Sequence, residues 1–171
     1  MKDRYLFRGK TKLFNEWNIG CLARVKTNQN TLEYTIERLE NDDIIYNIVH
    51  PDTIGQCTGL PAKKSYRGEN SGDLLVFEGD VVSKGCGDYR VLFVVKYGTY
   101  KELNISESED SEISPMTYGW YLENVKTKCQ GGIPPEILSE MFEIIGNIHD
   151  NPELLEVGIA RTFTTNTVYA G

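Results

Sequence analysis

The sequence predicts a mainly β protein, built from antiparallel strands with few short helices. Apolar residues recur at every second position in several segments, which is the period of a half-buried strand. Other segments are short runs of apolar or aromatic residues, and such runs also favour strands. Segments with helical signals are few and short. The 171 residues, of which 40% are hydrophobic, suffice for one domain or a compact pair.

Five segments that end before residue 123 have strand patterns. In the first of them the alternating apolar positions run from Trp17 through Ile19 and Cys21 to Val25. The third is nearly continuously apolar, which predicts a strand buried on both faces. The fourth is predicted to be a central strand. Its core-facing residues are Val91, Phe93 and Val95. The five predicted strands are Trp17–Val25, Leu32–Glu37, Ile44–Val49, Tyr89–Tyr97 and Thr117–Leu122.

The last part of the chain adds one strand and two short helices. A helix is predicted from Pro134 through Met141, because proline is tolerated in the first turn. Phe142–Ile148 is predicted to be a strand. A single helical turn is predicted in Asn151–Leu155, where Asn151 accepts a hydrogen bond from a free backbone N–H and an acidic residue opposes the positive helix end.

Two polar segments are predicted to be long hairpin loops. Pro61–Asp73 is rich in Lys, Gly, Ser and Asn, and Asn104–Ser114 is acidic and rich in Ser. Neither segment can bury enough apolar surface to offset the entropy of ordering. Asn104–Ser114 also lacks the Asp-x-Asp-x-Asp-Gly spacing of a calcium-binding loop, so no metal site is predicted there.

The net charge of −7 is unevenly distributed along the chain. Residues 1–30 carry seven Lys and Arg against two acidic residues, whereas residues 31–171 have a net charge of −12. Nucleic-acid binders usually carry a strongly basic domain. We therefore predict that the basic opening is a solvated strand face, paired with acidic residues of the C-terminal part. No apolar run is long enough for a membrane-spanning helix, and the opening residues do not resemble a secretory signal, so we predict a cytoplasmic protein.

The cysteines and histidines give no metal-binding pattern. There is no C-x-x-C pair, although zinc sites usually draw their ligands as close pairs. His50 and His149 lack ligand partners at helical spacing. We predict no metal, and mostly buried thiols in a reducing compartment. The four cysteines are Cys21, Cys57, Cys86 and Cys129.

Known catalytic motifs are absent from the sequence. It contains no G-x-S-x-G nucleophile elbow and no P-loop. With His50 and His149 as the only imidazoles, a catalytic triad is poorly supported. We therefore predict that the protein is not an enzyme and has neither catalytic residues nor a cofactor.

Several short segments resemble, in the same order, the motifs of the YopX family of phage and prophage proteins. Thr53–Leu60 (TIGQCTGL) and Phe77–Val82 (FEGDVV) closely resemble the family hallmarks V-G-Q-[FY]-T-G-L and Y-E-G-D-I-V. Tyr5–Lys10 (YLFRGK) resembles the opening K-F-R-G-K, and Glu16–Gly20 (EWNIG) resembles W-x-x-G. Glu143–Leu155 (EIIGNIHDNPELL) resembles the closing V-I-G-N-I-Y-D-N-P-E-L-L. The resemblance covers residues 5–155.

The resemblance implies a small β-rich protein with an SH3-like barrel in its middle and C-terminal part, and it implies no known reaction. We predict an N-terminal β segment over residues 1–49, the barrel part over 50–156, and a tail over 157–171 that adds one edge strand. Cys57 and His149 stand where the family pattern has aromatic residues, which predicts packing roles for both. The stretch from Pro61 to Val76 is longer than the usual turn of the family.

The family-motif residues have no known role, but their residue types have a physical interpretation. Gly55 and Gly59 permit backbone conformations with positive φ. In FEGDVV, Gly79 supplies a bend and Asp80 caps turn amides. Alternatively, Glu78 and Asp80 form a carboxylate pair, as in a metal-dependent nuclease, although no third acid, Lys or His stands at a suitable distance. The motif residues are Gly55, Gln56, Thr58, Gly59, Glu78, Gly79, Asp80, Gly146, Asn147, Asn151 and Pro152.

The leading hypothesis is a phage-encoded, non-enzymatic adaptor or modulator that binds an unknown host or phage protein in the host cytoplasm. One alternative is a nucleic-acid-binding module, which rests on fold analogy and needs its N-terminal basic residues to project together. Another is an acidic decoy that occupies a host DNA-binding protein. Homo-oligomerisation is left open, and no membrane partner is predicted. The basic residues in question are Arg4, Arg8, Lys10 and Lys12.

Overall fold

Two antiparallel sheets make up the protein in this computed structural model, which describes residues 5–28, 30–62, 74–85, 89–101, 116–133 and 141–156. The predicted mainly β class is confirmed. A one-turn 3-10 helix (Pro51–Thr53) precedes the fifth strand, and the short helix α1 (Glu153–Glu156) follows the last. The strands are β1 (Phe7–Lys10), β2 (Trp17–Lys26), β3 (Leu32–Glu40), β4 (Asp43–Ile48), β5 (Gly55–Ala62), β6 (Leu74–Phe77), β7 (Asp80–Lys84), β8 (Val91–Lys101), β9 (Met116–Asn124), β10 (Gln130–Gly132) and β11 (Phe142–Asn147).

The first sheet has the strand order β4-β3-β2-β1-β5-β6. The short strand β1 lies inside it, because Phe7 pairs with Gly20 on one side and with Gln56 on the other. β1 and β5 belong to different predicted segments, 1–49 and 50–156, and they share this sheet. The division into those segments stays a prediction.

The positions of two strands in this sheet correct predictions made from their patterns. The expectation that Ile44–Val49 is buried on both faces is wrong, because Ile44 and Tyr46 on one face of the edge strand β4 are exposed; Val49, just beyond the strand, is buried. In β2 the predicted inward positions Ile19 and Cys21 are exposed, whereas Gly20 between them is buried. The backbone of Glu37 approaches Gly20 so closely that a side chain would collide with it.

The second sheet has the strand order β10-β9-β8-β7-β11 and carries the main apolar core. β8 is its central strand, as predicted. Val95 is fully buried, and Phe93 packs against the core and edge-on to Phe142 at 5.6 Å. Val91 begins the strand and is exposed, so the prediction that it faces the core is wrong. The core consists of Val76, Val82, Val95, Leu122 and Phe142.

A pair of glycines bends the long β8–β9 hairpin. Gly98 and Gly119 are cross-strand partners, and their φ values of 144° and 156° lie in a region that side chains disfavour. Beyond this pair, the ring of Tyr100 stacks on Tyr121 with centroids 5.1 Å apart, although the two lie four residue pairs from each other along the ladder. The end of the hairpin therefore folds back over the face that carries Tyr121.

The SH3-like barrel implied by the resemblance is not confirmed. Within the described ranges, β10 pairs with β9 and β11 pairs with β7, and no pairing joins β10 to β11 to close the second sheet. Both strands border residues 134–140, which lie outside the described part. Within the described residues, the architecture is two open sheets.

Several local predictions near the C-terminus and at the cysteines can be compared with the structure. The strand at Phe142–Ile148 is confirmed as β11, and the predicted helical turn is confirmed as α1. Cys57 is buried, but Cys21 and Cys129 are exposed free thiols, which corrects the expectation of mostly buried cysteines. The predicted loop from Pro61 begins inside β5. The helix over 134–140, most of both long loops, Cys86 and the tail over 157–171 lie outside the described residues.

Candidate functional site

The family-motif segments converge where the two sheets meet, and an ion pair lies at the centre. Arg8 on β1 contacts Asp80 on β7 with an Nη1 to Oδ1 distance of 2.5 Å, and the two side chains are 12% and 3% exposed. The second Arg8 Nη atom donates to the backbone carbonyl of Glu78 at 3.1 Å. The guanidinium also lies over the rings of Trp17, at 4.7 Å, and Phe77. Strands from both sheets are thus held by one buried cation.

Asp80 performs the capping role that the turn interpretation predicted. Its second carboxylate oxygen accepts a hydrogen bond from the Phe77 N–H at 2.8 Å, across the turn whose bend is Gly79 with φ of 82°. Burial raises the pKa of Asp80, and the charge of Arg8 and the Phe77 N–H oppose that shift. Both oxygens of the Asp80 carboxylate therefore have partners within the protein, Arg8 for one and the Phe77 N–H for the other.

A second polar cluster surrounds Asp150 in the turn after β11. Its carboxylate pairs with Lys10 of β1 and accepts hydrogen bonds from Trp17 Nε1 at 2.5 Å and from Asn147 Nδ2 at 2.8 Å. Partial burial raises the pKa of Asp150, but the hydrogen bonds from Asn147, Lys10 and Trp17 outweigh it and lower the pKa to about 2. The Asn147 Oδ1 accepts from the backbone N–H groups of His149 and Asp150. Through Asp150, the C-terminal motif therefore contacts Lys10 of β1 and Trp17 of β2.

The remaining motif residues shape the backbone of these turns. Gly55 has no positive φ, which corrects one prediction: a Cβ there would lie 2.6 Å from the Glu78 carbonyl oxygen, so glycine is needed for close approach. Gly59 does have positive φ, as predicted, and Thr58 Oγ1 accepts from the Leu60 N–H at 3.0 Å.

Three more motif residues lie around the start of α1. A Cβ on Gly146 would collide with the Asn151 side chain, whose Oδ1 accepts a hydrogen bond from the Asn147 N–H at 3.3 Å. Asn151 thus bonds backward to β11, which corrects the prediction that its side chain accepts a free backbone N–H of the helical turn. The Pro152 carbonyl accepts from the Leu155 N–H at 3.0 Å.

The motif residue Gln56 lies on β5. Its backbone pairs with Phe7, and its carbonyl accepts from the Glu78 N–H.

Glu78 lies apart from Asp80 and lines an open cavity of about 250 Å³. Its carboxylate accepts hydrogen bonds from the backbone N–H groups of Gln56 and Tyr97, and burial raises its pKa in spite of them. Asp52 of the 3-10 turn also lines this cavity. Glu78 and Asp80 therefore do not form the carboxylate pair considered for a metal-dependent nuclease, because the Asp80 carboxylate is ion-paired with Arg8. Among the described residues, no three His, Cys, Asp or Glu side chains form a metal-binding group.

His149 also lines the cavity and packs against Trp17, with ring centroids 5.9 Å apart. This contact agrees with the packing role predicted from its place in the family pattern. Partial burial lowers the pKa of His149, as do the charges of Arg8 and Lys10, and these effects exceed the opposite influence of Asp52 and Asp150. The lowered pKa favours the neutral form of the imidazole.

An exposed aromatic surface, here named the aromatic ridge, lies beside the cavity and is made of Tyr97, Met116, Tyr118 and Trp120. Tyr97 lines the cavity, and its ring contacts Tyr118 at 5.2 Å and Trp120 at 4.8 Å. Trp120 packs against the core and anchors the ridge, whereas Tyr97, Tyr118 and Met116 are 42%, 69% and 69% exposed. The bend at the glycine pair holds these side chains on the outer side of the hairpin.

Among family models, that of the YopX protein family matches residues 6–156. The chain belongs to the YopX family. No curated protein and no solved structure matches it. The family model covers the Arg8–Asp80 and Asp150 clusters, the cavity and the aromatic ridge. None of the described helices is long and apolar enough to cross a bilayer.

Sequence reasoning missed residues that carry much of this geometry. Arg8 and Lys10 were considered for a phosphate-binding patch, but both are paired with carboxylates, and Lys12 is paired with Glu33. Pairing with the acidic C-terminal part is as predicted for Lys10, although its side chain is only 13% exposed and therefore not a solvated one. The aromatic ridge was not predicted, because the patterns of Tyr89–Tyr97 and Thr117–Leu122 indicated strands without indicating where the core ends. The signal that could have identified it is the Tyr-Gly dipeptide in both strands, at residues 97–98 and 118–119.

Proposed function

We propose that the protein is a non-enzymatic adaptor or modulator, encoded by a phage or prophage and acting in the host cytoplasm, which binds a partner protein through the aromatic ridge. The observation that supports this proposal is the exposure of Tyr97, Met116 and Tyr118 side by side on an ordered hairpin. Large apolar side chains grouped on a surface mark interaction sites more often than single exposed ones do.

The composition and rigidity of the ridge favour a protein partner. Tyr, Trp and Met are enriched at protein interfaces, and Tyr and Trp are prominent among the residues that contribute most binding energy. Ring contacts of Tyr97 with Tyr118 and Trp120 fix these side chains before any partner arrives. Less side-chain entropy is then lost on binding.

The charge of the neighbouring sequence favours a basic partner segment. The fourteen residues 102–115, which join β8 to β9, contain five carboxylates and no Lys or Arg. They follow Lys101, the last residue of β8, and precede Met116, which belongs to the ridge. The negative charge of this segment favours a positively charged partner and disfavours nucleic-acid phosphates.

The pairing of the N-terminal basic residues weighs against the nucleic-acid alternative. That alternative needs several basic side chains to project together from the opening, and Arg8, Lys10 and Lys12 instead contact Asp80, Asp150 and Glu33. Breaking the Arg8 pair to reach phosphates would leave the buried Asp80 carboxylate without a counter-charge.

Two variants matched in exposure test the proposal. Tagged wild-type chain, Tyr118→Ser and Tyr46→Ser are used to capture proteins from lysates of lysogenic or infected bacterial cells, and bound proteins are quantified by mass spectrometry. Tyr118 and Tyr46 are 69% and 63% exposed, but Tyr46 lies on β4 in the other sheet. Equal melting temperatures of the three proteins show that the folds are intact.

We expect a partner that binds wild type and Tyr46→Ser but is reduced by about tenfold or more with Tyr118→Ser, as for a residue central to an interface. Isothermal titration with the purified partner then confirms direct binding. Capture that is equal for all three proteins would overturn the assignment of the ridge. Capture that nuclease treatment abolishes would favour the nucleic-acid alternative.

A further inference from the structure

The cavity beside the aromatic ridge carries two carboxylates that are not neutralised. Glu78 and Asp52 line it, and among the described residues neither takes part in an ion pair. Glu78 is oriented by the backbone N–H groups of Gln56 and Tyr97. Backbone groups of the two strands therefore fix the position of the Glu78 carboxylate.

The positive groups around the cavity are already engaged. Lys96, which lines it, contacts the Glu123 carboxylate at 2.9 Å. Arg8 and Lys10, whose charges act on His149, are paired with Asp80 and Asp150. The lowered pKa of His149 favours its neutral form. The cavity consequently attracts a cation and offers an anion no unpaired positive partner among the described residues.

The walls and the size of the cavity suit a single side chain. Tyr97 and Tyr121 line it, and aromatic rings attract Lys and Arg through cation–π interactions. Its volume of about 250 Å³ falls below the roughly 300–1,000 Å³ typical of pockets for drug-sized ligands. Tyr97 belongs both to the cavity and to the aromatic ridge, so a chain lying on the ridge can reach the cavity.

We infer that the cavity takes the cationic side chain of an Arg or Lys residue from the partner protein that binds the aromatic ridge, with Glu78 and Asp52 as its carboxylate partners. This inference rests on the proposed function and specifies its partner as a segment with a basic residue beside an apolar one. Burial disfavours the charged form of Glu78, so the fold keeps this carboxylate at some loss of stability, as binding sites commonly do.

A small probe tests the cavity without the partner. N-acetyl-arginine amide is titrated into the ¹⁵N-labelled full chain, and backbone amide shifts are followed by NMR. N-acetyl-citrulline amide has nearly the same shape without the charge and serves as the control probe. We expect saturable shifts at Gly79, Lys96 and Tyr97 with the arginine probe and none with the citrulline probe.

Substitution of Glu78 supplies the second arm. Glu78→Gln keeps an oxygen acceptor for the two backbone N–H groups, so we expect it to fold, and it should weaken the arginine probe on the order of tenfold, because a charge-assisted hydrogen bond is lost. The matched control is Glu40→Gln, an exposed acid at the end of β3, which should change nothing. Equal binding of the two probes, or of the probe to wild type and Glu78→Gln, would overturn the inference.

Failure of this inference is separable from failure of the proposed function. If the arginine probe does not bind while partner capture still depends on Tyr118, the cavity assignment alone is overturned. Probe binding at the cavity without any Tyr118-dependent partner supports the cation site and overturns the ridge as the docking surface.

Discussion

Removal of the Arg8 side-chain charge should destabilise the protein more than almost any other single change near the motifs. Arg8→Met keeps the apolar stem over Trp17 and Phe77 but leaves Asp80, 3% exposed, without its counter-ion. Breaking a buried pair from one side costs roughly 3–5 kcal/mol, because an uncompensated charge stays buried. The total stability of a domain is about 5–15 kcal/mol, so this loss is a large share of it.

The double variant distinguishes a lost ion pair from simple damage to the fold. Asp80→Asn keeps an oxygen that accepts from the Phe77 N–H, and it removes the charge that Arg8→Met leaves unpaired. Arg8→Met with Asp80→Asn should therefore be more stable than Arg8→Met alone, with a coupling energy of about 2 kcal/mol. Arg38→Met is the matched control, since its contact with Glu40 is exposed and contributes less than about 1 kcal/mol.

Urea unfolding followed by tryptophan fluorescence measures these differences, because Trp17 lies directly under the Arg8 guanidinium. The predicted order of stability is wild type, then Arg38→Met, then the double variant, then Arg8→Met. If Arg8→Met folds too poorly to measure, recovery of a cooperative transition in the double variant is the expected result. A loss for Arg8→Met no larger than for Arg38→Met, or no recovery in the double variant, would refute the central place given to this pair.

Three further perturbations have defined outcomes. Gly55→Ala should lose about 2 kcal/mol in urea unfolding, because its Cβ would lie 2.6 Å from the Glu78 carbonyl oxygen; Gly131→Ala, where a Cβ meets nothing within 4 Å, is the control. Asp150→Asn should lower stability by roughly 1 kcal/mol at pH 7, a figure reduced for the solvent exposure of this carboxylate. Because the pKa of Asp150 is lowered to about 2, its contribution is complete above its ordinary pKa of 3.8 and is lost as the pH falls toward 2, so melting temperatures of variant and wild type should converge at low pH. Phe93→Ala should cost about 3 kcal/mol, the lower end of the range for emptying an aromatic site, whereas exposed Val91→Ala should cost less than about 0.5 kcal/mol.

Local sequence signals predicted the elements that depend on local physics. The alternation around Phe93 and Val95 identified β8, and the Asn151-Pro152-Glu153 sequence identified the turn into α1. Gly79 and Asp80 were predicted to make a bend and a cap, and both do so. Each of these features is set by residues within a few positions of one another.

Features that depend on distant partners could not be predicted from the pattern. Ile44–Val49 has the composition of a buried strand, but burial on both faces requires elements packed over each face, and Ile44 and Tyr46 on one face of β4 are exposed. Arg8 and Asp80 are 72 positions apart in the sequence, so nothing local indicated their contact. The alternation that places Val95 in the core continues unchanged into Tyr97, where the core has ended and the side chain is exposed.

Site-specific photocrosslinking tests most directly whether the aromatic ridge is the binding surface. A benzophenone amino acid is placed at Tyr118 in one protein and at Tyr46 in another, and each is irradiated in lysogenic cells that express it. The ridge assignment predicts a covalent adduct with a partner protein from position 118 and none from position 46. Adducts formed equally from both positions, or from position 46 alone, would contradict it.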